Sequence, residues 1–257
     1  MKKNIFSRLS KISALHYAKL LFRSLLLVVA AIVYIVGRLI ADRDLLERVA
    51  NHPVVLGIIL LVFGLEILLR FFPSKMESMG CQKQFAHNFM PTDTPVPSEA
   101  ATRQSRRSIL LIAGFWIVLN GAFGALYVWG IIDEGILLLI CLVFSVCDMI
   151  CILFFCPFQT WVMKNKCCGS CRIYNWDYAM MFTPLVFVRE PYAWGLLALS
   201  LALLLKWEIV YHRHPERFYE SSNRCLSCAE CQEKLCAHKK SLQRFLTQYR
   251  TIIARFK

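Results

Sequence analysis

Residues 135–155 read GILLLICLVFSVCDMICILFF. The stretch contains a single acidic residue, Asp148, and no basic residue or proline. About 20 helical residues cross the roughly 30 Å hydrocarbon core of a bilayer, and a helix satisfies its own backbone hydrogen bonds there. The stretch therefore predicts a membrane-spanning helix.

The rest of the chain repeats this apolar pattern. Hydrophobic residues make up 57% of the 257 residues, and the mean hydropathy of +0.50 lies outside the usual range for a soluble domain. Four further stretches predict spans: Ser24–Ile40, Pro53–Phe72, Ser108–Ile132 and Tyr192–Tyr211. A sixth, Ile173–Val188, is short and carries Asp177 and Pro184, so we expect it to be broken or re-entrant. We expect an all-α polytopic membrane helix bundle of about six spans with a small cysteine-rich cytoplasmic cap.

The formal charge of +13 is explained by membrane topology rather than by nucleic-acid binding, because of where the basic residues lie. Basic residues concentrate in alternate loops, and residues 1–23 alone hold six Lys/Arg and no acid. The positive-inside rule then places 1–23, 73–107, 159–178 and 213–257 in the cytoplasm. The expected location is the cell (inner) membrane, with both termini cytoplasmic and the lipid bilayer as the main partner.

Composition along the chain divides it into seven parts. In order they are a basic amphipathic segment (1–23), a first helix pair (24–72), a cytoplasmic loop (73–107), a second helix pair (108–155), a cysteine-rich loop (156–178), a third helix pair whose first member is short or broken (179–211), and a cysteine-rich tail ending in an amphipathic basic helix (212–257).

Eight of the twelve cysteines form two short runs on the predicted cytoplasmic face. Thiols in a reducing compartment at two-residue spacings favour metal or iron–sulfur ligation over disulfides. The candidate ligands are Cys156, Cys167, Cys168, Cys171, Cys225, Cys228, Cys231, Cys236 and His238.

The spacing of the cysteines does not decide between an iron–sulfur cluster and zinc. Cys225-x2-Cys228-x2-Cys231 is typical of an iron–sulfur cluster, but Cys236 follows after four residues and no proline comes next, so Cys156 beside Pro157 is a second candidate for the fourth ligand. Pairing Cys168-x2-Cys171 with Cys228-x2-Cys231 would instead form a tetrahedral zinc site. The alternative without metal is palmitoylation of juxtamembrane cysteines.

Ionisable residues inside predicted spans are functional candidates by default. Asp148 is the clearest, although a structural pairing with Asn120 or Lys206 is the simpler interpretation, with Cys147 and Cys151 lining a helix contact. Glu66 and Arg70, four residues apart, predict an ion pair within one helix.

The sequence contains no phosphate-binding glycine loop, no G-x-S-x-G elbow and no H-E-x-x-H helix. The leading hypothesis is a membrane redox protein without acid–base catalytic residues, in which an iron–sulfur cluster passes electrons to a membrane partner such as a quinone or another subunit. One alternative is a zinc-stapled scaffold or transporter subunit. Another is a thiol-based metal or redox sensor.

Overall fold

The computed structural model describes residues 11–40, 42, 44–72, 82–93, 99–163 and 171–227. Across these residues the chain is helical, and its single β-type pairing is an isolated bridge between Pro91 and Asn223. The α-helices are α1 (Lys11–Leu39), α2 (Leu45–Ala50), α3 (Pro53–Phe71), α4 (Glu99–Val128), α5 (Glu134–Leu153), α6 (Asp177–Phe182) and α7 (Pro191–Arg213).

Five of these helices, α1, α3, α4, α5 and α7, are long and apolar enough to cross a membrane. Large apolar side chains cover the outside of the bundle, and Leu25, Leu111 and Ile117 are each more than 60% exposed. The interior includes polar side chains such as Arg23 and Ser145, which are only 2% and 1% exposed. An apolar exterior around a partly polar interior is expected when lipid is the solvent. The prediction of an all-helical chain is confirmed for the described residues, and five of the predicted spans correspond to helices that could cross a membrane.

Two helices begin earlier than the sequence analysis predicted. The first starts at Lys11 and continues without a break to Leu39, so it includes part of the predicted 1–23 segment. The third long helix starts at Glu99 rather than at Ser108. Hydropathy locates the hydrocarbon-spanning part of a helix, whereas intrahelical hydrogen bonds let its polar first turns extend beyond the lipid.

Helix α3 changes its winding where it enters the core. A π-helical turn over Leu60–Gly64 joins two α-helical parts, Pro53–Ile59 and Leu65–Phe71. Such turns are rare and insert an extra residue into the helical repeat. After the turn, Ile67 and Arg70 are buried in the bundle.

The connection from α4 to α5 is short and well defined. Gly130 has a φ of 70°, which favours glycine because an L side chain is crowded in that conformation. The Asp133 side chain then accepts a hydrogen bond of 2.9 Å from the Ile136 backbone N–H, which caps α5. The connection between the two helices is therefore limited to residues 129–133.

The bundle has two ends, which we call proximal and distal. The proximal end is the one at which Tyr17 packs on Phe154. There the Ser108 hydroxyl also donates to the Val162 carbonyl. At the distal end Asn51 donates to Glu190 at 3.0 Å.

Residues 172–187 do not form one continuous helix. They consist of a 3₁₀ turn (Arg172–Trp176), α6 and a second 3₁₀ turn (Thr183–Phe187). The segment begins beside Glu208 of α7, which pairs with Arg172, and ends just before the distal contact of Glu190. Because 3₁₀ turns rise about 2.0 Å per residue against 1.5 Å in an α-helix, a broken segment covers more distance per residue. The expectation that this segment is broken is confirmed.

Candidate functional site

The proximal half of the bundle contains a partly open cavity of about 270 Å³. Its walls come from α4, α5, the residues that follow α5, and the segment 171–181. The wall is mostly apolar, yet four of its residues are cysteines: Cys147, Cys151, Cys156 and Cys171.

The end of α5 positions three of these thiols. Cys147 and Cys151 lie one turn apart on the helix, which ends at Leu153, and Cys156 follows three residues later. The side chains of Cys151 and Cys156 hydrogen-bond to each other. The backbone N–H of Gln159 also donates to the Cys156 sulfur at 3.5 Å. The two sulfurs therefore face one another at the cavity wall.

Two carboxylates, Asp148 and Asp177, also line the cavity. Asp148 accepts a hydrogen bond of 3.1 Å from the Arg23 guanidinium. Asp177 pairs with Arg70 and also accepts the Tyr178 backbone N–H at 2.8 Å. Each acid is therefore balanced by an arginine from another helix.

Arg23 is the centre of this charged cluster. Besides Asp148, it contacts the Glu66 carboxylate at 2.6 Å and the Ser145 carbonyl oxygen at 3.1 Å. Glu66 accepts two further bonds, from Lys19 at 3.2 Å and from the Tyr178 hydroxyl at 3.1 Å. Buried charges need this degree of compensation, because each one loses its hydration.

The predicted pairing of Glu66 with Arg70 is replaced by contacts between segments. Glu66 binds Arg23 and Lys19 of α1, while Arg70 binds Asp177 and donates to the Tyr174 carbonyl at 2.8 Å. Each of these partners lies on another segment, so the charges join α3 to α1 and to residues 172–187.

Asp148 also has a different partner from those suggested by the sequence. The Asn120 amide donates to the Trp116 carbonyl, and the Lys206 ammonium lies over the rings of Phe71 and Phe72. Asp148 does have a structural partner, as the sequence analysis expected, but that partner is Arg23 rather than Asn120 or Lys206. Hydropathy gives no information about helix rotation, so it could not identify the pair.

Of the predicted metal ligands, Cys156 and Cys171 line the same cavity. Cys225 lies in a 3₁₀ turn that is fixed by Asn223, whose side chain donates to the Lys83 carbonyl at 3.0 Å. The remaining candidates, Cys167, Cys168, Cys228, Cys231, Cys236 and His238, lie outside the described residues.

In the described part of the chain, no three or more His, Cys, Asp or Glu side chains are arranged to hold a metal ion. The predicted approach of the Cys168/Cys171 pair to the Cys228/Cys231 pair involves residues beyond that part and stays a prediction. The predicted tail helix within 212–257 lies there too.

The sequence analysis assigned Cys147 and Cys151 to a helix contact and missed their place in the cavity. The signal was available in the close spacing of Cys147, Cys151 and Cys156, which lie four and five residues apart. No family model, curated protein or solved structure matches the chain significantly. The function must therefore be argued from the residues themselves.

Proposed function

We propose that this protein is a multi-span membrane metalloprotein in which cysteines at the proximal end hold an iron–sulfur cluster that passes electrons to a membrane partner. The observation that supports it most directly is that both cysteine runs approach one short segment, since residues just after Cys171 and just before Cys225 contact the adjacent Gln84 and Lys83. Thiolate sulfur is the donor that iron–sulfur clusters and zinc prefer. The donor chemistry at this end therefore fits such a group.

The ligand set that we propose draws on both cysteine runs. Cys171 would act with Cys168, and Cys228 with Cys231, while Cys225 and Cys236 are further candidates. This arrangement is supported by the described contacts of the neighbouring segments. Asn175 follows Cys171 and donates to Gln84, while Asn223 precedes Cys225 and donates to the adjacent Lys83 carbonyl.

The proposed topology has six crossings, with the proximal end in the cytoplasm of an inner cell membrane. The mixed segment 172–187 supplies the sixth crossing, because its two 3₁₀ turns and α6 would together cover about 29 Å at the usual rises. The basic loops support this orientation. Reporters active on only one side, fused after residues 100 and 257, should both report the cytoplasm. Opposite reports would refute the six-crossing topology.

Anaerobic purification tests the cluster. We expect brown protein that contains iron and acid-labile sulfide and that bleaches with dithionite. Cys171→Ser and Cys228→Ser should lose much of the colour, because each removes a proposed ligand. Cys141→Ser is the matched control, since Cys141 is buried on α5 but does not line the cysteine cavity.

The second candidate is a zinc-stapled scaffold or transporter subunit, and the paired Cys-x2-Cys half-sites favour it. Colourless protein with stoichiometric zinc would establish this alternative, because zinc offers no redox chemistry. If purification that preserves both metals yields neither, the metalloprotein proposal fails and thiol-based sensing or acylation takes its place.

A further inference from the structure

Cys151 and Cys156 form a close dithiol that is separate from the predicted Cys-x2-Cys half-sites. Their side chains hydrogen-bond to each other, and both line the cavity at the end of α5. A metal site formed by Cys168, Cys171, Cys228 and Cys231 already has four ligands. It does not require Cys151 or Cys156. Two adjacent thiols can exchange two electrons by forming a disulfide, provided that an oxidant reaches them.

The position of Cys147 indicates where such an oxidant would enter. This residue lines the cavity, yet it is exposed on the surface of α5, a helix long and apolar enough to cross the membrane. An exposed position within a membrane span faces lipid. The cavity therefore opens toward the bilayer, and a lipid-soluble molecule could enter it without crossing water.

The shape and lining of the cavity restrict the class of this molecule. A volume of about 270 Å³ is just below the usual range of about 300–1,000 Å³ for small-ligand pockets, so a single-ring headgroup fits better than a larger cofactor. Aromatic side chains that can pack against a planar ring form part of the wall: Trp116, Phe144, Phe158 and Tyr174.

We propose that Cys151 and Cys156 are a redox-active dithiol and that a membrane quinone bound in the cavity oxidises them. The two S–H bonds break and one S–S bond forms, so the dithiol loses two electrons and two protons. The quinone gains both electrons and both protons and leaves as the quinol. Asp148, on the same wall, is a carboxylate able to relay a proton between the two.

This inference deepens the proposed electron transfer to a membrane partner, since it names the partner class and the residues that react with it. It does not need the metal, because the dithiol alone carries two electrons. Metal-free protein therefore separates the two ideas: the quinone reaction should persist in it even if no cluster is ever found.

The first test uses reduced protein in detergent, treated anaerobically with decylubiquinone both as purified and after removal of metal. We expect one Cys151–Cys156 disulfide per chain, detected by mass spectrometry as the loss of two hydrogen atoms, and one quinol for each disulfide. Cys151→Ser and Cys156→Ser should abolish quinol formation. Cys141→Ser, outside this cavity, should behave as the wild type does.

The second test uses the mouth of the cavity. Cys147→Phe should obstruct entry and slow oxidation by decylubiquinone severalfold relative to Cys147→Ser, while the small oxidant diamide forms the same disulfide in both variants. Formation of that disulfide by diamide shows that the variants are folded. Equal rates with the quinone would overturn the entry route.

Two results would overturn the dithiol proposal itself. One is that wild-type thiols stay reduced in excess quinone although diamide oxidises them. The other is that quinone oxidises a pair that does not include both Cys151 and Cys156. Both results are obtained with wild-type protein and do not depend on how any variant folds.

Discussion

The Arg23 guanidinium lies 3.1 Å from the Asp148 carboxylate, although 125 residues separate them in the chain. Arg23 is 2% exposed and also contacts Glu66 at 2.6 Å. One cation therefore joins α1, α3 and α5 inside the bundle. Removing it would leave two acids in the core without their main partner.

We expect Arg23→Met to destabilise the protein by about 3–5 kcal/mol, the usual cost of breaking a buried ion pair on one side. The midpoint of thermal unfolding in detergent measures the loss. Lys19→Met is the matched control, since Lys19 binds the same Glu66 but its side chain is 26% exposed. The interpretation of Arg23 as the central cation is wrong if both variants lose equal stability.

The sequence was sufficient to predict an all-helical chain with five long apolar helices and a broken segment at Ile173–Val188. Apolar runs such as 135–155 indicate which residues lie within the lipid. Asp177 and Pro184 indicated that the short segment would not be one continuous helix. The rotation of each helix about its axis was not predictable, because lipid and most of the protein interior are both apolar. For that reason the contacts of Arg23 and the gathering of Cys147, Cys151 and Cys156 at one cavity became visible only in three dimensions.

Gly124 marks a close contact between α4 and the segment 172–187. A Cβ atom at Gly124 would lie 2.4 Å from the ring of Phe187, whereas one at Gly121 would meet nothing within 4 Å. We expect Gly124→Ala to cost about 1–3 kcal/mol through overpacking. Gly121→Ala should be neutral or stabilising by up to about 1 kcal/mol, because alanine favours the helix.

The thermal unfolding midpoints of the two glycine variants, measured side by side in one detergent, provide the comparison. Both substitutions add one methyl group to the same helix, so their difference isolates the contact with Phe187. Equal midpoints would mean that the ring of Phe187 moves aside without cost.

Arg70 and Asp177 join α3 to α6, and both side chains are less than 10% exposed. A double-mutant cycle with Arg70→Met and Asp177→Asn should give a coupling energy of about 0.5–3 kcal/mol. The same cycle on Arg48 and Asp42, whose side chains are 64% and 30% exposed, should give about 0–1 kcal/mol. Additive effects at Arg70 and Asp177 would show that this pair does not hold residues 172–187 in place.

Glu47 lies on α2 at the distal end, among other acids. Partial burial raises the pKa of Glu47 above its ordinary value, and the surrounding negative charges raise this pKa further. These charges belong to Glu134, Asp44, Asp133 and Glu190. A carboxyl whose pKa is higher in the folded than in the unfolded state destabilises the fold when it is ionised.

We therefore expect Glu47→Gln to raise the thermal midpoint at neutral pH, where the wild-type carboxylate is charged. As the pH falls through the raised pKa, wild-type Glu47 takes up its proton in the folded state, and the advantage of the variant should shrink and vanish. Unfolding curves measured from neutral to acidic pH check this, with Glu99→Gln as the control because Glu99 lies exposed in the first turn of α4. An advantage for Glu47→Gln that stays constant with pH would contradict the electrostatic explanation and indicate a packing effect.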